Sequence, residues 1–142
     1  MNENKDIIKA CEVAANWWAD KLGTPKQDNG AGDGLANLLM AIVSIKNSPN
    51  NETREKFYES LKLALIEELK KDDRVYLYTD YGPCGLLETV SRGFEISGYA
   101  FPCKTDMYVS ADKVTVSEGY RAPEKVLYVR EKTVSDNTEN NV

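Results

Sequence analysis

The chain has 142 residues, a length that predicts one domain with room for a proper hydrophobic core. An apolar fraction of 42% and a charged fraction of 29% are those of a soluble globular protein. A formal net charge of −5 argues against non-specific DNA or RNA binding, whose affinity comes largely from neutralising phosphates. The absence of histidine removes His-dependent hydrolases, most zinc sites and imidazole acid–base chemistry.

Three cysteines, Cys11, Cys84 and Cys103, are an odd number with no CxxC pair, so a reducing cytoplasm is expected rather than a disulfide framework. Residues 1–10 carry no signal-like apolar run, and no stretch approaches membrane-spanning length, so no membrane contact is expected.

Ile7, Cys11, Ala14, Trp18 and Leu22 form the apolar stripe of one long helix, with Cys11 as buried packing. Trp18 lies on that stripe, whereas Trp17 points about 100° away and must pack elsewhere or be covered. Gly23, followed by Thr24 and Pro25, stops the helix. Leu35, Leu38, Leu39, Ile42 and Val43 mark a second, very apolar helix expected at the centre of the core, and Asn47 to Asn51 is a turn. A third helix is predicted from about Glu52 to Lys71, with Phe57, Leu61, Leu65 and Leu69 as its stripe and Asn51 or Thr53 as its cap.

From Arg74 the period changes to two, with Val75, Leu77 and Thr79 on one face of a strand and Tyr76, Tyr78 and Asp80 on the other. Pro83 sits where a first helical residue would. Leu86, Leu87, Val90 and Phe94 then give a short amphipathic helix ended by Ser97 and Gly98. A hairpin follows, with Met107, Val109, Val114 and Val116 facing inward and Ser110 to Lys113 as its turn, and a last strand is predicted over Lys125 to Val129. The sum is an α+β fold, an N-terminal layer of three helices packed on a small, mostly antiparallel sheet with one further short helix. Residues 1–132 form the domain and 133–142 a disordered tail.

Three segments carry more polar residues and glycines than connections need, and point to a binding site built from loops. In Pro25 to Gly34, Asp28 and Asn29 beside Gly30 can accept hydrogen bonds from a ligand or hold a cation; equally, they form a cap and a turn, with Asp33 capping the next helix. The spacing is neither that of an EF-hand nor that of a P-loop, and no metal or cofactor is expected. In Thr79 to Gly85, Asp80 and Tyr81 lie at the carboxyl end of a strand, facing a helix N-terminus, where ligands often sit. Asp80 suits an amine, a ribose hydroxyl or a cation, or it caps the helix while Tyr81 packs. Cys84 has no histidine partner to make it a nucleophile.

In Phe101 to Pro123, counting outward from the turn sets Thr105 across from Glu118. Lys104, Thr105, Glu118, Tyr120 and Arg121 therefore gather at the open end of the hairpin. They form either a recognition cluster with Tyr120 as a stacking surface, or a Lys104–Glu118 cross-strand ion pair on a solvated face.

The pattern NWWADKL…DNG, TDYGP and FPCKT…VSEGYRAP, between Ala14 and Pro123, resembles a group of small proteins encoded by bacteriophages and mobile elements. Cys103 departs from the pattern, standing where an aromatic residue is expected before Lys104 and Thr105. The resemblance implies a host-takeover or anti-defence factor in the bacterial cytoplasm, one that binds and blocks rather than turns over a substrate. The first expectation is therefore non-enzymatic sequestration of a small polar, nucleotide-like signalling ligand. Aromatic rings would stack bases, carboxylates take ribose hydroxyls, and Lys104 or Arg121 meet phosphate. One alternative is an interaction inhibitor whose acidic surface occludes a host defence effector such as a CRISPR nuclease. Another is a small enzyme on nucleotides that uses Asp28, Asp80 or Glu118 as general base, with or without a divalent metal. A homo-oligomer is expected in each case, because the outward Trp17, Tyr76 and Tyr78 need cover.

Overall fold

The computed structural model describes residues 2–23, 34, 35, 38, 39, 42, 46–80, 82–119 and 121–131. Helix α1 spans Asn2–Lys21, and its stripe is buried as the periodicity dictates, with Cys11, Ala14, Trp18 and Leu22 all closed to solvent. Gly23 ends it with φ +78°, the left-handed region that glycine enters without strain. The Gly23 N–H donates to the Ala100 carbonyl at 2.7 Å, and a Cβ at this position would lie 2.4 Å from Ser48 Cβ. Turn and close approach thus both require glycine here.

Helix α2 spans Asn51–Lys71 and buries Phe57, Leu61, Leu65 and Leu69. Its cap is Asn50, one residue earlier than expected, whose side-chain oxygen accepts the Thr53 N–H at 2.8 Å. Arg54 joins the two helices by donating to the carbonyls of Ala19 and Leu22, placing a cation where the dipole of α1 is negative.

Four strands, β1 (Arg74–Thr79), β2 (Thr105–Ser110), β3 (Lys113–Glu118) and β4 (Glu124–Val129), form one sheet in that order, every neighbouring pair antiparallel. Thr105 faces Glu118 across β2 and β3, as the count from the turn predicts. One face of the sheet buries Leu77, Met107, Val109, Val114 and Val116 beneath the helices. Trp18 of α1 reaches Met107 Sδ with its Nε1 at 3.2 Å, and Phe101 closes the cluster with its ring 6.2 Å from Trp18 and 5.9 Å from Phe57.

The architecture is α+β, with three helices and the four-stranded antiparallel sheet among the described residues. Several local expectations differ from it. The third helix, α3, spans Gly85–Arg92 with Cys84 as its cap. Pro83 is not its first residue, because Cys84 folds back to donate its N–H to the Tyr78 carbonyl at 2.9 Å, leaving Pro83 bridged to Thr79. Likewise α3 ends at Arg92 rather than at Ser97, which instead opens a short 3-10 turn over Gly98–Ala100 by accepting the Tyr99 N–H.

The larger correction concerns the segment expected at the centre of the core. Leu35, Leu38, Leu39 and Ile42 are helical in conformation yet exposed at 66, 56, 54 and 51%. Their spacing states that they share a face but not what that face meets, and none of the four belongs to the buried core cluster. Of the expected layer of three N-terminal helices, α1 and α2 pack on each other among the described residues, and Val43 of the second stripe lies outside them. The expected tail at 133–142 lies outside the described residues. Among those residues, no helix is long and apolar enough to cross a membrane.

Candidate functional site

The antiparallel register brings two of the three polar loops to one end of the sheet. Thr79 ends β1 opposite Thr105, which begins β2, and Thr105 in turn faces Glu118 at the end of β3. One step outward, Lys104 Nζ lies 2.7 Å from Asp80 Oδ1, and the Lys104 N–H donates to the Asp80 carbonyl at 3.0 Å. Asp80, Lys104, Thr105 and Glu118 thus converge. Asp28, Asn29, Tyr81 and Tyr120 lie outside the described residues.

The expected Lys104–Glu118 pair is not what the geometry makes. Glu118 shares the helix-covered face with Thr105 and pairs with Lys21 of α1 at 3.3 Å and with Lys125 of β4 at 2.5 Å. Lys104 stands just before β2 with φ +55° and pairs with Asp80 instead. Burial pushes the Glu118 carboxyl up. The hydrogen bond from Lys125 and the charge of Lys21 outweigh it and hold the group below its ordinary value. A carboxylate held ionised in this way is a poor general base at neutral pH.

Thr105 is fully buried and knits strands together. Its N–H donates to Thr79 Oγ1 at 3.1 Å, and the Thr79 hydroxyl donates to the Pro102 carbonyl at 2.6 Å. Arg121 is exposed with φ +58°, close to Gly119 at φ +109°. Left-handed backbone at Lys104 and Arg121 costs on the order of 1 kcal/mol or more each, and such conformations cluster at ligand sites and switches. Here the Gly119 N–H, donated to the Lys104 carbonyl at 3.0 Å, holds the two turns together.

Cys11 and Cys84 behave as packing. Burial, and to a lesser degree Glu12, pushes the Cys11 thiol up to about 12, so it stays protonated and inert. Cys84 is buried, and its Sγ accepts the Tyr78 N–H at 3.5 Å. Among the described residues, no group of three or more Cys, Asp or Glu side chains could hold a metal ion.

The face of the sheet turned away from the helices carries a second constellation. Tyr76 and Tyr78 occupy it as their parity predicts, and Tyr108, directly opposite Tyr76, joins them. The rings stack in a column, Tyr78 on Tyr76 at 5.0 Å and Tyr76 on Tyr108 at 4.8 Å. The Arg74 guanidinium lies 5.4 Å from the Tyr108 ring centre and ends the column. Exposures of 43, 45 and 39% for Tyr78, Tyr76 and Tyr108 leave this face open. Tyr76 donates its hydroxyl to Asp106 Oδ1 at 2.5 Å; that bond, with burial and the nearby carboxylate charge, raises the phenol well above its ordinary value.

Beside the column is a concavity of about 290 Å³ lined by Arg74, Tyr108, Ser110, Lys113, Thr115 and Glu124. Sequence reasoning placed Tyr76 and Tyr78 but overlooked Tyr108 and Arg74. The signal was available, since alternation with the inward Met107 and Val109 forces Tyr108 outward. Trp17, the other aromatic expected to need cover, finds some within its own chain. It packs edge-on against Trp18 at 5.0 Å, with Lys21 Nζ 5.4 Å from its ring centre.

Fold and site together define a class: a four-stranded antiparallel sheet roofed by helices on one face, with an aromatic, cation-ended open face and a polar loop rim. No protein-family model matches the chain, and no curated protein matches it in sequence.

Proposed function

We propose that the protein is a non-catalytic binder of a small nucleotide-like ligand, taken on the tyrosine face of the sheet. The observation that carries this reading is the column Tyr78, Tyr76, Tyr108 ending at Arg74. Rings and guanidinium planes are surfaces on which a base stacks, each such contact being worth about 1–3 kcal/mol. The adjoining concavity, about 290 Å³, lies at the lower end of the roughly 300–1,000 Å³ of small-molecule sites. Arg74 and Lys113 supply charge for a phosphate, and Glu124 and Ser110 can accept from ribose hydroxyls.

Binding is favoured over turnover because the carboxylates at the polar end face lysines, Asp80 at 2.7 Å and Glu118 at 2.5 and 3.3 Å. The resemblance to small bacteriophage and mobile-element proteins supplies a setting, the withholding of a host-defence signal in the bacterial cytoplasm. Calorimetric titration with a panel of mononucleotides and cyclic nucleotides tests the reading. Saturable heats are expected for at least one member, weakened about fivefold or more in Arg74→Ala by loss of the guanidinium face that ends the column. Flat heats across the panel would overturn it.

A further inference from the structure

We infer that the ligand is a dinucleotide, held with its internucleotide phosphate at Arg74 and one base on either side of that residue. This inference rests on the nucleotide reading of the tyrosine face and names its ligand class. Arg74 and Ser110, cross-strand partners in β1 and β2, line two concavities at once. One is the 290 Å³ hollow beside Tyr108, and the other is a cleft of about 920 Å³ at the turn end of the sheet. A guanidinium offers two planar faces and a fork of donors, so a residue between two hollows can stack on one base while it bonds a phosphate.

The larger cleft has the lining a second nucleoside requires. Ile7 and Leu69 provide apolar contact for a base, and Asp72 and Asp73, at the end of α2, provide acceptors for an exocyclic amino group or ribose hydroxyls. Arg130 forms a fixed wall, its guanidinium 3.2 Å from Asp112 on one side and 3.2 Å from Asp6 on the other.

The same charges limit the length of the ligand. A nucleic-acid strand needs a run of cations along its backbone, whereas Asp72, Asp73 and Asp112 around the cleft would repel further phosphates. The net charge of −5 opposes a long polyanion in the same sense. Two bases, one to each hollow, and one phosphodiester at Arg74 fit this charge pattern, and a base with an exocyclic amine, such as adenine, suits the acceptors.

The test is calorimetry on the full chain with AMP, with diadenylate carrying a single phosphodiester, and with a long oligoadenylate. Diadenylate should bind about tenfold or more tightly than AMP, and the oligonucleotide no more tightly than diadenylate. In Ala111→Trp, which fills the cleft from the β2–β3 turn, the advantage of diadenylate should vanish while AMP affinity stays unchanged. Equal affinities for AMP and diadenylate would overturn the inference and leave the nucleotide reading standing. An advantage that survives in Ala111→Trp would overturn the placement in the cleft, and an oligonucleotide tenfold tighter than diadenylate would replace it with a strand-binding surface. Failure of all three ligands to bind would remove the nucleotide reading itself.

Discussion

At the scale of single residues, Glu118 has the sequence profile of a catalytic base and the surroundings of a strut. Its side chain is only 15% exposed and stands between Lys21 and Lys125, linking α1 to β4 through the end of β3. Because the folded carboxyl is held below the ordinary 4.5, the native state binds that proton more weakly than the unfolded chain does. The stabilisation is therefore fully present above the ordinary value and is lost as the pH falls through the lowered native one. Glu118→Gln keeps the shape and removes the charge, so it should cost on the order of 1 kcal/mol at neutral pH, since both lysines remain partly solvated. The difference from wild type should shrink as the pH falls below the ordinary carboxyl value and close once the native carboxyl, held lower, is protonated as well. Urea denaturation of both proteins at neutral pH and in acid measures this, and a gap that stays constant into acid would show that the effect is packing rather than charge.

At the scale of elements, the tyrosine column makes a prediction about order. Tyr76 is the middle ring, stacked on Tyr78 along β1 and on Tyr108 across to β2, and it also donates to Asp106. Tyr78 takes part in one of those ring pairs. Each aromatic pair contributes about 0.5–1.5 kcal/mol beyond area burial, so Tyr76→Ala should destabilise by roughly that much more than Tyr78→Ala. Chemical denaturation of the two variants tests the order; equal losses would mean that the rings merely neighbour one another. The strand alternation behind this column was legible in the sequence, as were α1, α2, the inward hairpin residues and the Thr105–Glu118 register. Regular elements expose their period, and period is a property of the sequence. What the rings meet beyond the strand is not. The Leu35, Leu38, Leu39 and Ile42 stripe had a clear helical spacing, yet it faces outward. Lys104 was set against Glu118 because strand counting assumes extended backbone, whereas the left-handed turn at Lys104 directs it to Asp80. Lys21 could not be foreseen as a partner of Glu118, since nearly a hundred residues separate them and only the docking of α1 brings them together.

At the scale of the whole molecule, that docking decides which face of the sheet is left for binding. Helix α1 is fastened at three places along its length: Asp6 to Arg130 at 3.2 Å, Trp18 to Met107 at 3.2 Å, and Lys21 to Glu118 at 3.3 Å. The ends are ion pairs at the rim and the middle is a fully buried indole. Exposed pairs contribute about 0–1 kcal/mol, whereas truncating a buried tryptophan costs about 3–5 kcal/mol, so the middle should dominate. Trp18→Ala is therefore expected to remove a fifth or more of a stability of about 5–15 kcal/mol, and Arg130→Ala less than about 1 kcal/mol. Thermal and denaturant unfolding of the two variants measures both, and an Arg130→Ala loss as large as that of Trp18→Ala would mean that charge rather than packing seats the helix. Ligand affinity separates the two sides of the sheet in the same experiment. Trp18 packs on the covered face and the tyrosine column stands on the other, so Trp18→Ala, where folded, should keep its nucleotide affinity. Arg130→Ala opens the wall of the larger cleft and should weaken diadenylate while sparing AMP, the reverse of the order in stability.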